Sequence, residues 1–171
     1  MKRIVSLFVV FVLIAAMMLG LISCSNGDFV MRKENEITYY LPKDFTEKNY
    51  EGIPLCYANN EAAFILTVWG RDELKNSWYL PSDFDIIRFT DEFMDLNDYQ
   101  AGAYTYDEAR GVTTLFAYAT EYEDSDDIDL FCNLLALTDD YAYIVTLHCD
   151  EAYASKYTPL FEDILSRIEI N

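Results

Sequence analysis

Ile128-Asp129-Leu130-Phe131-Cys132-Asn133-Leu134-Leu135-Ala136-Leu137 and Tyr141-Ala142-Tyr143-Ile144-Val145-Thr146-Leu147-His148-Cys149 are two apolar runs separated by Thr138-Asp139-Asp140. Apolar runs of strand length around a short polar turn signal an antiparallel hairpin. If Asp139-Asp140 is a two-residue loop, Thr138 faces Tyr141, Cys132 faces Leu147 and Cys149 lies diagonal to Cys132. A four-residue loop would set the two cysteines directly opposite. In both registers Leu130, Cys132, Leu134 and Ala136 share a face with Tyr143, Val145, Leu147 and Cys149, because strand side chains alternate. That face reads as core. Buried free thiols there act as small hydrophobes. A Cys132–Cys149 disulfide is the alternative, and it requires Cα atoms within about 7 Å.

On the C-terminal side, Asp150 can cap a helical segment. Pro159 fits the first residue of a helix capped by Thr158, with Phe161, Ile164, Leu165 and Ile168 as its buried stripe. On the N-terminal side, 99–106 and 112–122 read as a strand pair turned at Arg110-Gly111, with Val112, Thr114, Phe116, Tyr118, Thr120 and Tyr122 on one face. Before them Ile86, Phe89, Phe93 and Leu96 recur at helical spacing, capped by Ser82 or Asp83. Segment 70–81 is polar and irregular. Segments 52–57 and 62–69 read as strands around Asn59-Asn60, whose asparagines tolerate positive φ. Residues 43–49 read as a loop, and Ile37-Thr38-Tyr39-Tyr40-Leu41 as a strand stopped by Pro42. Strands, helix, strands, helix is an α+β order.

Two segments carry a family likeness. One is Tyr40-Leu41-Pro42-Lys43-Asp44-Phe45. The other is Tyr143-Ile144-Val145-Thr146-Leu147 running into Pro159-Leu160-Phe161-Glu162-Asp163-Ile164-Leu165. Across about residues 37–170 the chain resembles the PsbP-like fold family. The resemblance implies an α/β/α sandwich around a mostly antiparallel sheet. It also implies a binding or assembly module rather than an enzyme. No functional residue of that family maps onto a position here.

The N-terminus gives an address. Lys2-Arg3 precedes an uncharged apolar run from Ile4 to Ile22, and Leu21-Ile22-Ser23-Cys24 follows the pattern cut by the lipoprotein peptidase. Residues 1–23 are then a signal peptide, Cys24 carries diacylglycerol, 24–36 is a tether, and 37–171 is the domain. Each buried CH₂ contributes about 0.8 kcal/mol, so two acyl chains anchor stably. An uncleaved signal anchor is the competing reading, since about 20 apolar residues span a bilayer. Both readings place the domain outside the cytoplasm at the cell membrane, because Lys2 and Arg3 stay inside.

All 30 acidic residues follow Cys24, while Lys2 and Arg3 precede it, so the mature chain is more acidic than the −18 of the whole. That sign argues against a nucleic-acid partner and leaves the lipid to do the anchoring. Of four cysteines, acylation leaves Cys56, Cys132 and Cys149. None forms C-x-x-C, so neither a zinc ribbon nor a thioredoxin-type centre is supported. His148, the only histidine, neighbours Cys149, but adjacent strand residues point to opposite faces and cannot pair for catalysis. The acidic segment Glu121, Glu123, Asp124, Asp126, Asp127 and Asp129 is the best cation candidate, yet it lacks the EF-hand glycine and final glutamate. It reads as a solvated loop, with no metal or other cofactor. The 14 tyrosines fall largely on expected strands, as Tyr39/Tyr40, Tyr104/Tyr106, Tyr118/Tyr122 and Tyr141/Tyr143. A remaining exposed aromatic platform could stack on sugar rings or a partner. The expected function is therefore a membrane-anchored, non-catalytic module for a protein partner, with a carbohydrate- or small-ligand-binding lipoprotein as the alternative.

Overall fold

The computed structural model describes residues 28–97, 104–120 and 128–171. Cys24, the signal segment and acidic residues 121–127 lie outside them. In chain order the elements are β1 (Phe29–Glu34), β2 (Ile37–Pro42), β3 (Thr46–Lys48), β4 (Cys56–Ala58), β5 (Ala62–Gly70), α1 (Arg71–Ser77), α2 (Ile86–Leu96), β6 (Tyr104–Asp107), β7 (Val112–Thr120), β8 (Ile128–Leu137), β9 (Tyr141–Asp150), α3 (Ala154–Ser166) and β10 (Glu169–Ile170). A short 3-10 turn, Glu151–Tyr153, leads into α3.

The β8–β9 hairpin sits at the centre of a seven-stranded antiparallel sheet ordered β3-β4-β5-β9-β8-β7-β6. Its loop is Asp139-Asp140: Thr138 N–H donates to Tyr141 O at 2.8 Å, and Cys132 faces Leu147. Cys132 to Ala136 and Ala142 to Val145 are buried without interruption, because the sheet is covered on both sides and neither face needs polar residues. On one side α1 and α2 pack over Leu115, Leu135, Ala142 and Ile144. On the other side α3 and the small sheet β1-β2-β10 share a layer over Phe64, Leu66, Leu134, Val145 and Leu147. This is the α+β sandwich expected, with a small sheet beside the helix of one layer.

Several local expectations are corrected. Residues 29–34 are not tether: they form β1, paired along its length with β2 through a turn in which Asn35 has φ 50°. Alone this strand is polar on its open face, so its sequence shows no core pattern; its partner supplies the pairing. Residues 46–48 form an exposed edge strand rather than loop, and in place of the strand expected at 52–57 a shorter one runs over Cys56–Ala58. Residues 71–77 form α1, invisible to periodicity because Leu74 is its sole buried residue. Asp85, not Ser82 or Asp83, caps α2, accepting from Arg88 N–H at 2.9 Å. On α2 the buried residues are Phe89, Thr90, Phe93 and Met94, while Leu96 on the last turn is 57% exposed. Asp150 caps as expected, accepting from Ala152 N–H at 2.7 Å. That early cap starts the helical run before Pro159, which lies inside α3 rather than opening it.

Two arginines tie the layers together. Arg71 donates to Thr138 O at 2.9 Å and Phe84 O at 2.7 Å, with its guanidinium 4.8 Å from the Phe84 ring centre. Arg110, in the β6–β7 turn where Gly111 has φ 65°, donates to Leu165 O and Ile168 O at 2.9 and 2.7 Å. Leu165 lies in the last turn of α3 and Ile168 just past its end, so the guanidinium caps the carbonyls where the helix stops.

Candidate functional site

Helices α1 and α2 cover only part of their side of the sheet. Beyond them the floor is built from cross-strand rows. Ala58, Ala63, His148 and Phe131 stand opposite one another on β4, β5, β9 and β8. Beside them run Cys56, Ile65, Thr146 and Asn133. Ala58 and Ala63 are small, so the floor is sunken. Tyr50 and Ile53, from the segment between β3 and β4, form one wall. The result is an open groove of about 530 Å³, within the roughly 300–1,000 Å³ of ligand sites.

His148 stacks on Phe131, with ring centres 5.6 Å apart and planes 20° apart. Cys149, its neighbour, is buried on the opposite face of the sheet. The two therefore do not combine as base and nucleophile. Asn133 is fully buried and accepts from Thr146 Oγ1 at 2.7 Å through its Oδ1. At one end of the groove Asp129 and Asp150 stand directly opposite across β8 and β9, and Glu61 adds a third carboxylate.

The β4–β5 turn separates this groove from the surface of α3. Asn59 accepts from Glu61 N–H and Ala62 N–H at 2.9 Å through Oδ1. Its Nδ2 donates to Asp44 Oδ2 at 2.9 Å and Tyr157 OH at 3.1 Å. The asparagine thus shapes the turn by side-chain hydrogen bonds, and not by the positive φ expected; among the described residues Asn35 and Tyr79 are the non-glycine residues with positive φ. Tyr157 OH donates to Glu61 Oε2 at 2.9 Å, and Lys156 pairs with the same oxygen. Lys156 and then Tyr157 hold the Glu61 carboxyl below its usual range, so it is ionised at neutral pH.

Cys132 and Cys149 are both free, as is Cys56, and all three are buried. The bridge considered between Cys132 and Cys149 is not formed. The observed register makes the two diagonal neighbours, a relation in which residues lie about 7–8 Å apart, past the range a disulfide spans. Burial is the main cause lifting both thiols, Cys149 to about 11 and Cys132 further. Denaturation without reductant should therefore release one reactive thiol for each of Cys56, Cys132 and Cys149, while the native protein reacts only as fast as it opens. The sign of the pH effect follows. A thiol raised in the folded state supports folding below its unfolded value of 9.0 and loses that support as pH rises towards about 11. Stability should fall across that window, as urea titrations at stepped pH would show.

Among the described residues the tyrosines do not form one platform. Tyr39 and Tyr143 are core residues. Tyr106 and Tyr118 are exposed, but Tyr106 pairs with Thr113 and Tyr118 with Leu130, which places them on opposite faces. Phe116, Tyr118 and Ile128 leave a smaller apolar patch at the end of β7 and β8 on the α3 side. Among the described residues no group of three or more His, Cys, Asp and Glu is placed to hold a metal ion. Among them, too, no helix is long and apolar enough to cross a membrane. Alternation and register could have located the row through His148 in the sequence, since β8 and β9 were legible. The partners on β4 and β5 could not be found that way.

No family model matches the chain, and no curated protein does. Solved structures do. Cyanobacterial PsbP (CyanoP) from Synechocystis sp. PCC 6803 is similar at 10% identity with a TM-score of 0.58, over 86% of this chain and 95% of that one. The Saccharomyces cerevisiae Ran-binding protein Mog1p is similar at 9% identity with a TM-score of 0.55, over 85% and 96%. A protein from Bacteroides thetaiotaomicron VPI-5482 is similar at 10% identity with a TM-score of 0.51, the match spanning 85% of this chain and 48% of that one. These likenesses are of fold.

Proposed function

We propose that this chain, which has a PsbP-like fold, is an extracytoplasmic lipoprotein held to the cell membrane by diacylglycerol on Cys24. Its domain is a non-catalytic module that receives a segment of a protein partner in the groove over Ala58 and Ala63. The groove is the observation that carries this reading: the helices cover only part of one sheet face, and beside them Tyr50 and Ile53 flank Ala58 and Ala63, with carboxylates at one end. His148 and Cys149 on opposite sheet faces support a role without covalent chemistry. A fold similar to that of a protein named for binding Ran is in keeping with it. The groove's volume also favours a second reading, a small ligand such as a sugar, since single small molecules fill sites of this size.

Crosslinking on intact membranes tests the first reading, comparing the native chain with Tyr50→Glu, a change at an exposed position of the groove lining. A protein captured by the native chain and lost in the variant is expected. Equal capture by both would end the role of the groove. Removing the thiol by Cys24→Ala should shift the chain from membrane to soluble fractions or leave it unprocessed. Unchanged retention with an unchanged mass after lipid labelling would count against the anchor.

A further inference from the structure

We infer that the domain sits end-on against the bilayer, with Phe116, Tyr118 and Ile128 as the side chains that touch the lipid surface. This rests on the lipid on Cys24 proposed above. Only Ser25, Asn26 and Gly27 separate Cys24 from Asp28. The chain from Cys24 to Asp28 therefore spans at most about 14 Å when fully extended. At Asp28 the chain is already held by the domain: its carbonyl accepts from Lys43 N–H at 3.2 Å, and its carboxylate pairs with the Lys43 ammonium. The start of β1 thus lies close to the headgroups, and the end of the domain that carries it faces them. Register shows what else lies at that end. Phe29 stands opposite Pro42, and nearby Asp44 accepts from Asn59 of the β4–β5 turn at 2.9 Å. Along the same end of the large sheet Ala62 faces Cys149, Asp129 faces Asp150 and Ile128 faces Thr120. The Asp139-Asp140 turn lies at the far end of the hairpin. Phe116 and Tyr118 share the face of Thr120 and its partner Ile128, because strand side chains alternate. All three are exposed, Tyr118 at 60%. A tyrosine ring with its hydroxyl suits the boundary between acyl chains and water, and the phenylalanine and isoleucine add apolar area to bury there. A net charge of −18 opposes anionic headgroups, so the short tether and these apolar side chains set the approach, and charge does not.

Quenching by nitroxide-labelled lipid tests this on the full lipidated chain, purified from membranes in detergent and reconstituted into phosphatidylcholine vesicles. Cys56, Cys132 and Cys149 are buried, so a fluorophore goes to one introduced cysteine at an exposed position. Tyr118→Cys places it at the proposed contact and Asp139→Cys at the far end. The Tyr118→Cys label should lose most of its fluorescence, and the Asp139→Cys label almost none. Adding Ile128→Asp, an exposed substitution that the fold tolerates, should restore most of the fluorescence at position 118, since a carboxylate resists leaving water. Equal quenching at the two positions, or stronger quenching at 139, would overturn the end-on seating. Quenching unchanged by Ile128→Asp would overturn it as well, because the contact would then not be apolar. Flotation of the same vesicles reads the anchor separately. A chain that floats but quenches equally at both positions keeps its lipid and loses only this orientation, whereas a chain that does not float overturns both readings.

Discussion

Phe64→Ala is expected to lower the unfolding free energy by about 3–5 kcal/mol, the range for truncating a buried aromatic. Phe64 is 0% exposed and lies on β5 with its side chain between the two sheets. It stacks on Tyr39 of β2, centres 4.9 Å and planes 19° apart, and tilts against Tyr57 of β4 at 6.3 Å. The substitution therefore removes transfer energy, leaves a cavity and deletes two ring contacts, each of which adds about 0.5–1.5 kcal/mol. For a chain of this size the midpoint of thermal unfolding should fall by roughly 6–20 °C. Urea titration should show a lower midpoint with an unchanged slope. A loss below about 1 kcal/mol, ordinary for a surface position, would mean that the small and large sheets do not share a core. Its neighbour Ala63 points to the other face of the sheet, where it is buried against Cys56 and Ala58.

Replacing Arg71 by alanine should cost about 3 kcal/mol, since hydrogen bonds to a charged donor contribute about 1.5–3 kcal/mol each and partly exposed ones sit low in that range. Arg71 reaches from the start of α1 to Thr138 O at the β8–β9 turn and to Phe84 O ahead of α2. Its backbone N–H also donates to Asp140 O at 2.8 Å, a bond that the alanine variant keeps. The loss thus isolates the guanidinium, which joins the start of α1, the β8–β9 turn and the segment ahead of α2. Lysine retains the charge but not the planar fork, so Arg71→Lys should recover less than half of the loss. Recovery of full stability by lysine would show that charge alone matters and would refute the two-carbonyl clamp. Hydrogen exchange should also speed up first in α2, the element that Phe84 leads into, because local openings report the weakest cooperative unit.

What could be read from the chain divides along a physical line. Alternation and turn chemistry are local. They located the β8–β9 hairpin, put Cys132 and Cys149 on one face, set Asp150 as a cap and separated His148 from Cys149. Segments with little burial of their own were misread. β1 is a polar strand, β3 is wholly exposed and α1 buries only Leu74, so none carries a periodic apolar signal even though each is held by neighbours.

The candidate site shows the same division. Asp129, His148 and Asp150 lie on the hairpin, and their faces follow from its register. That Ala58 and Ala63 stand in the same row is a product of pairing between strands far apart in the sequence. That helices α1 and α2 stop short of this row is a product of packing. Sequence alone therefore determined the central hairpin, its inward thiols and the acidic balance, all consequences of nearest-neighbour alternation and composition. Tertiary structure alone decided which part of the sheet stayed bare, because an open groove is defined by what does not pack over it, and no residue pattern records an absent neighbour.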